Sequence, residues 1–213
     1  MLEELSKLED QLRDLSHNQE ALELIKDFAN KLKKQDRQII FSAEGSLIIK
    51  PIFHQDMLEK GLIDDNEDPF TLLQGDIVST DSAYLCGERL KGMKFAIASS
   101  TCDLVKNRRE YVALLRLQPI IREDPKINAI LGELLKFQST QRMYLPRLDN
   151  DPPDVIANSI VFDGVVQIRL EDLFLATRHA SLSLVGWRIF GSLVRTIMVR
   201  AGDSEVKMRS QSS

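Results

Sequence analysis

Two short polar stretches near the middle of the chain carry the side chains best suited to chemistry. Ser100, Thr101, Cys102 and Asp103 follow directly on the apolar run 95–98. A nucleophilic Cys102 would need a base beside it, and a metal-ligating one would need further ligands. His54 and His179 are remote in sequence and stand in no HxxxH or CxxC spacing. The competing reading is a strand-end cysteine with Asp103 capping the next turn. Lys106, Asn107, Arg108 and Arg109 then make a basic turn, with Arg116 and Arg122 further on. Such a loop can track a phosphate backbone, or simply keep a strand edge soluble. Tyr111 is the nearest aromatic for base stacking. Lys94, Lys106, Arg108, Arg109 and Arg116 are the candidate nucleic-acid contacts. Ser100–Thr101–Cys102–Asp103 is a candidate functional cluster, and no catalytic residue, metal set or cofactor is assigned.

Elements of an α+β chain must hold these stretches in place. Apolar runs at 76–78, 95–98 and 111–117, parted by glycine-bearing or charged turns, predict a small SH3-like antiparallel β-barrel. Two runs at 38–42 and 47–53 predict a hairpin, and 159–163 with 165–170 predict another around Asp163-Gly164. Short helices are expected at 54–63 and 126–137, an extended segment at 143–148, and a solvated acidic loop at 64–69. Residues 182–199, entered through Ser181 or Ser183 as a cap, predict an apolar helix striped by Val185, Ile189, Leu193 and Ile197. On its edge, Arg188 and Arg195 project together.

Residues 2–35 contain no Gly or Pro and predict one long helix. Leu5, Leu8, Leu12 and Leu15 keep 3-4 spacing, and Leu22 and Ile25 resume it after a gap that puts Gln19 and Lys26 at core positions. That pattern suits a coiled-coil arm, joining copies of the chain or a partner protein, ahead of an amphipathic helix packed on its own domain. The expected organisation is a helical arm at 1–36, a barrel core at 37–180, a C-terminal helix at 181–201 and a disordered tail at 202–213.

Composition sets the outer bounds. The chain has 213 residues, 43% hydrophobic and 28% charged, which is ordinary for a globular protein. No apolar run is long enough to span a bilayer, the first residues lack the apolar centre of a signal peptide, and Cys86 and Cys102 are the only cysteines. A cytoplasmic protein without a membrane partner is expected. The net charge of −4 divides unevenly: residues 1–75 balance to −7 and residues 76–213 to +3. Nucleic acid would therefore meet the second part.

The order Gly75-Asp76-Ile77-Val78, then Phe95-Ala96-Ile97-Ala98-Ser99, then Leu117-Gln118-Pro119-Ile120 resembles the MazF/PemK-like toxins. That resemblance covers about 45 residues and implies an SH3-like barrel, usually dimeric, with endoribonuclease activity. The toxins keep Arg-Pro at the start of the second strand, where this chain has Met93 and Lys94, and Thr or Ser after the Pro-Ile, where it has Ile121. An arginine fork and a hydroxyl at a phosphate are thus replaced by a point charge and an alkyl group. A second order of motifs, from GDIV through Ser100–Asp103 and Tyr144-Leu145-Pro146 to the stretch 178–183, resembles an uncharacterised bacterial family over residues 75–200 and implies no activity. The expected function is a non-catalytic interaction or oligomerisation module of a bacterial defence or toxin–antitoxin system. RNA or DNA binding, or a degenerate endoribonuclease-like barrel, is the alternative, and a Cys102-centred enzyme the third reading.

Overall fold

The computed structural model describes residues 2–198 apart from 18, 65 and 67–69, so the tail expected at 202–213 and most of the acidic loop lie outside the described residues. The chain opens with three helices, α1 (Leu2–Arg13), α2 (Gln19–Lys31) and α3 (Lys34–Ser42), followed by strand β1 (Ile48–Ile49) and helix α4 (His54–Glu59). Next come β2 (Ile77–Ser79), β3 (Tyr84–Leu85), β4 (Glu88–Arg89), β5 (Lys94–Ile97), a 3₁₀ turn (Thr101–Asp103) and the long strand β6 (Tyr111–Ile121). Helix α5 (Ile127–Leu134), strands β7 (Arg142–Pro146), β8 (Val155–Val161) and β9 (Val166–Arg169), helix α6 (Leu170–Leu173), β10 (Thr177–Leu182) and α7 (Leu184–Met198) complete the fold.

The fold is α+β, with a nearly closed antiparallel barrel. Its strands run β1-β10-β2-β5-β6-β8-β7, with β9 also on β6 and β3-β4 forming a separate ribbon. Strand β6 is the spine. Residues 111–114 pair with β9, residues 114–116 with β5, and residues 117–121 with β8. Both faces of the sheet are covered, so alternate residues enter two different cores. Val78, Phe95, Ile97, Val112 and Leu114 fill the barrel interior with Val166, Ile168 and Leu173. Ile77, Ala96, Leu115 and Leu117 face the opposite way, into a larger core shared with the helices.

The structure corrects the N-terminal arm. Instead of one helix over 2–35, α1 and α2 are separated at residues 14–17, where Ser16 and His17 are poor helix formers. The slip of the heptad at Gln19 is thus resolved as a break, after which each helix turns its own apolar face inward. Leu5, Leu8, Leu12, Leu22 and Ile25 are buried and Leu15 is half-buried, all packed in the larger core of this same chain. Both α1 and α2 lie against α7. The apolar partner that a coiled-coil seam would take from a second copy is supplied here by α7, so the packing found is that of amphipathic helices on their own domain.

Two strand pairings also differ from expectation. Residues 38–42 finish α3, with Ile40 and Phe41 buried and Ile39 exposed, because an apolar triplet fits either period. Strand β1 accordingly pairs with β10 rather than with that segment. Asp163-Gly164 does turn the chain, with Gly164 at φ +74°, but β8 and β9 both pair with β6 and not with each other. The apolar C-terminal helix is found as expected. Ser183 caps it, its Oγ accepting from the Gly186 N–H at 3.1 Å.

Glycine acts in opposite senses on two helices. A methyl group at Gly132 in α5 would meet nothing closer than a lysine methylene at 3.9 Å. Gly132→Ala is therefore expected to stabilise the fold by about 0.5–1 kcal/mol, read as a higher urea midpoint at unchanged slope. Among the described residues no helix is long and apolar enough to cross a membrane.

Candidate phosphate-binding cleft

The basic turn is built by short-range bonding. Arg108 N–H donates to Val105 O at 3.1 Å, and Asn107 takes φ +67°, a left-handed conformation that asparagine tolerates better than most residues. The preceding cluster fixes the base of the turn. Asp103 N–H bonds Ser100 O at 2.8 Å, closing the 3₁₀ turn, while the Asp103 carboxylate accepts from Arg109 Nε at 3.1 Å. Thr101 Oγ1 accepts the Gln74 N–H at 2.9 Å, and Ser99 Oγ accepts that of Ala113 at 2.9 Å. Cys102 itself is exposed and free. Among the described residues, no three His, Cys, Asp or Glu side chains are grouped as metal ligands. The cluster therefore acts as a bracket that orients the basic turn.

Lys106, Arg108 and Arg109 share a cleft of about 480 Å³ with Arg169, at the β9–α6 junction, and with Phe174. Two carboxylates, Glu110 and Glu171, also line it. The Leu170 N–H donates to Glu110 O at 2.9 Å and holds the two walls together. Tyr111, 50% exposed, stands opposite Arg169 in the strand register. Its hydroxyl, with the charges of Glu110 and Glu171, raises the Arg169 pKa further. Arg169 and Phe174 went unnoticed in the sequence because only the pairing of β6 with β9 brings them beside residues 106–109.

The other candidate cations lie elsewhere. Arg116 faces Asp163 at 3.7 Å. Lys94 is 17% exposed and forms an ion pair with Asp151, while donating to Asn150 Oδ1 at 2.8 Å. Burial pushes the Asp151 carboxyl up, but hydrogen bonds from Lys94, the Leu148 N–H and Asn158 outweigh it and hold the pKa below its ordinary value. The Lys94 ammonium is thus committed to the protein and is not presented to a phosphate.

That network reaches an arrangement superficially like a catalytic triad. His179 Nε2 lies 2.8 Å from Ser79 Oγ, and His179 Nδ1 lies 2.8 Å from the Asn150 amide. Hydrogen-bond accounting decides its polarity. The ammonium of Lys94 can only donate, so the Asn150 oxygen faces it and the Asn150 nitrogen faces His179. Nδ1 is then the acceptor, and Nε2 carries the hydrogen and donates to Ser79. A general base acting on Ser79 requires the opposite tautomer. Burial, then the charge of Lys94, lowers the His179 pKa, which keeps the ring neutral.

The largest departure from surface chemistry is at Asp76, the acid of the GDIV motif. It is fully buried, with Arg178 Nε at 2.7 Å from Oδ2, the Leu73 N–H on Oδ2 at 2.8 Å, and the Ser181 hydroxyl on Oδ1 at 2.7 Å. Ser181 Oγ also accepts from the Ile52 N–H at 3.0 Å and from Arg178 at 2.9 Å. One carboxylate thereby ties together residues 52 and 73 and strands β2 and β10. Burial pushes its pKa up against the pull of Arg178. Gly75, at φ +85°, packs against Leu182 where a methyl would come within 2.5 Å. The Gly and the Asp of GDIV are both accounted for by packing and bonding between β2 and β10.

Comparison with protein-family models, curated proteins and solved structures finds no match. The barrel therefore stands on its strand pairing, and the likeness to MazF/PemK-like toxins rests on short motifs alone.

Proposed function

We propose that this chain is a non-catalytic binding module that holds the phosphate backbone of single-stranded nucleic acid in the cleft beneath the basic turn. The observation that carries this reading is the convergence of Lys106, Arg108, Arg109 and Arg169 on one concave surface, beside Tyr111 and Phe174. Cations supply the sequence-independent attraction, and an exposed aromatic supplies a face on which a base can stack. The engagement of three candidate groups within the protein supports binding over cleavage. His179 has both nitrogens engaged, Lys94 is paired, and the Asp76 carboxylate is enclosed by donors.

Fluorescence anisotropy with a labelled single-stranded RNA, repeated over a salt series, tests the reading. Three or four phosphate contacts predict that the logarithm of the binding constant falls against the logarithm of salt with a slope of roughly −2 to −3. Lys106→Ala should flatten that slope by up to about one phosphate contact. Lack of binding at low salt, or a slope near zero, would count against the proposal.

A further inference from the structure

His17, in the break between α1 and α2, occupies an unusual position. Its ring lies against Gly191 of α7, in space where a methyl on that glycine would come within 2.3 Å of Nδ1. It meets the Trp187 ring edge-on, with centroids 4.1 Å apart, and neither ring nitrogen has a hydrogen-bond partner. Two arginines of α7 fasten the surrounding backbone. Arg188 donates to Leu12 O and Arg13 O, both at 3.1 Å, and stacks over Trp187 at 4.8 Å, while Arg195 donates to His17 O at 3.0 Å. The Leu12 and Arg13 carbonyls belong to the last turn of α1, and Leu12 O also accepts the Leu15 N–H at 3.3 Å.

We propose that His17 is a proton-operated latch: protonation drives its ring out of the Gly191 notch and undocks α1 from α7. The notch fits the ring closely, and the Arg188 carbonyl, which favours a ring N–H, is outweighed by burial and by the Arg188 charge. The charged groups of α7 nearest it, Arg188 and Arg195, are both cations. On the other side, Asp14 and Glu20 are the nearest carboxylates along the chain; both are exposed and neither bonds the ring. Undocking uncovers Leu5, Leu8 and Leu12, the 3-4 stripe that a helical partner could cover.

Burial first, and Arg188 second, lower the His17 pKa below its ordinary 6.5. The docked form thus binds fewer protons than the undocked one. Docking is full above pH 6.5 and weakens about tenfold per pH unit below it, down to the docked midpoint.

Trp187 is the only tryptophan in the chain, so its emission reports on this contact directly. The test follows that emission and the amide exchange of residues 2–13 in the full chain from pH 8 to pH 5. Wild type should show a single-proton change in Trp187 emission, with α1 exchange accelerating over the same range while β6 stays protected. His17→Gln, which cannot be protonated, should lose both pH-dependent changes, and His179→Gln should retain them. The proposal is overturned if the transition persists in His17→Gln, or if α1 stays protected in wild type down to pH 5.

Discussion

Asp76→Asn is expected to cost about 3–5 kcal/mol, the usual consequence of removing one member of a buried ion pair. The Asp76 carboxylate is surrounded only by donors: Arg178, the Leu73 N–H and the Ser181 hydroxyl. An amide NH₂ in its place sets donor against donor and leaves the Arg178 charge without its partner. The attraction within the pair is not the source of this loss, since burial of the carboxylate offsets much of it. The orphaned charge is. Arg178→Met should therefore be similarly damaging alone, yet combining it with Asp76→Asn should cost less than the sum of the two single losses. In the double variant the Asn amide can donate to Ser181 Oγ and accept from Leu73 N–H. Urea unfolding followed by circular dichroism measures all three variants, and the coupling energy should fall in the range of about 0.5–3 kcal/mol found for contacting residues. Strictly additive losses would contradict the assignment of Asp76 and Arg178 as a single unit.

Gly186→Ala is the second large effect. Helix α7 lies so close to the chain at Leu47 that a methyl on Gly186 would sit 2.2 Å from the Leu47 carbonyl oxygen and 3.1 Å from its carbon. Neither atom can move freely, because that oxygen accepts the Ser183 N–H at 2.9 Å at the start of the helix. Ordinary overpacking costs about 1–3 kcal/mol, and a backbone obstacle places this site at or above the top of that range. The helix propensity gained from alanine, about 1 kcal/mol, is too small to compensate. The same substitution at Gly132 should move the urea midpoint in the opposite direction. A neutral or stabilising Gly186→Ala would show that α7 does not rest on Leu47 as described.

Much of the barrel was legible because β2, β5 and β6 carry short apolar runs bounded by turns, and α7 was legible because its stripe is long. Local pattern failed where tertiary contact decided the outcome. Residues 38–42 carry an apolar triplet that suits a strand, and the preceding turns of α3 make it helical. The break at residues 14–17 is held by Arg188 and Arg195, whose seven-residue spacing was visible, although the carbonyls they bond were not. GDIV pointed to a special position, and its Gly and Asp serve packing and bonding between β2 and β10. In the candidate site, Lys106, Arg108 and Arg109 were readable as a basic turn. Arg169 and Phe174 join them only through the pairing of β9 with β6, which no local sequence feature announces.

On the proposed reading, the position of the cations, and not net charge, decides whether nucleic acid binds. The most direct test of that reading compares two charge reversals of equal size in single-stranded RNA binding at low salt. Lys106→Glu with Arg108→Glu alters the cleft, whereas Lys34→Glu with Lys136→Glu alters another basic groove, between α3 and α5. With both variants shown to be folded, the first pair should weaken binding by roughly a hundredfold or more, from the loss and reversal of two phosphate contacts, and the second should leave it within a few-fold of wild type. Equal loss in both, or binding that survives the first, would contradict the assignment of the cleft.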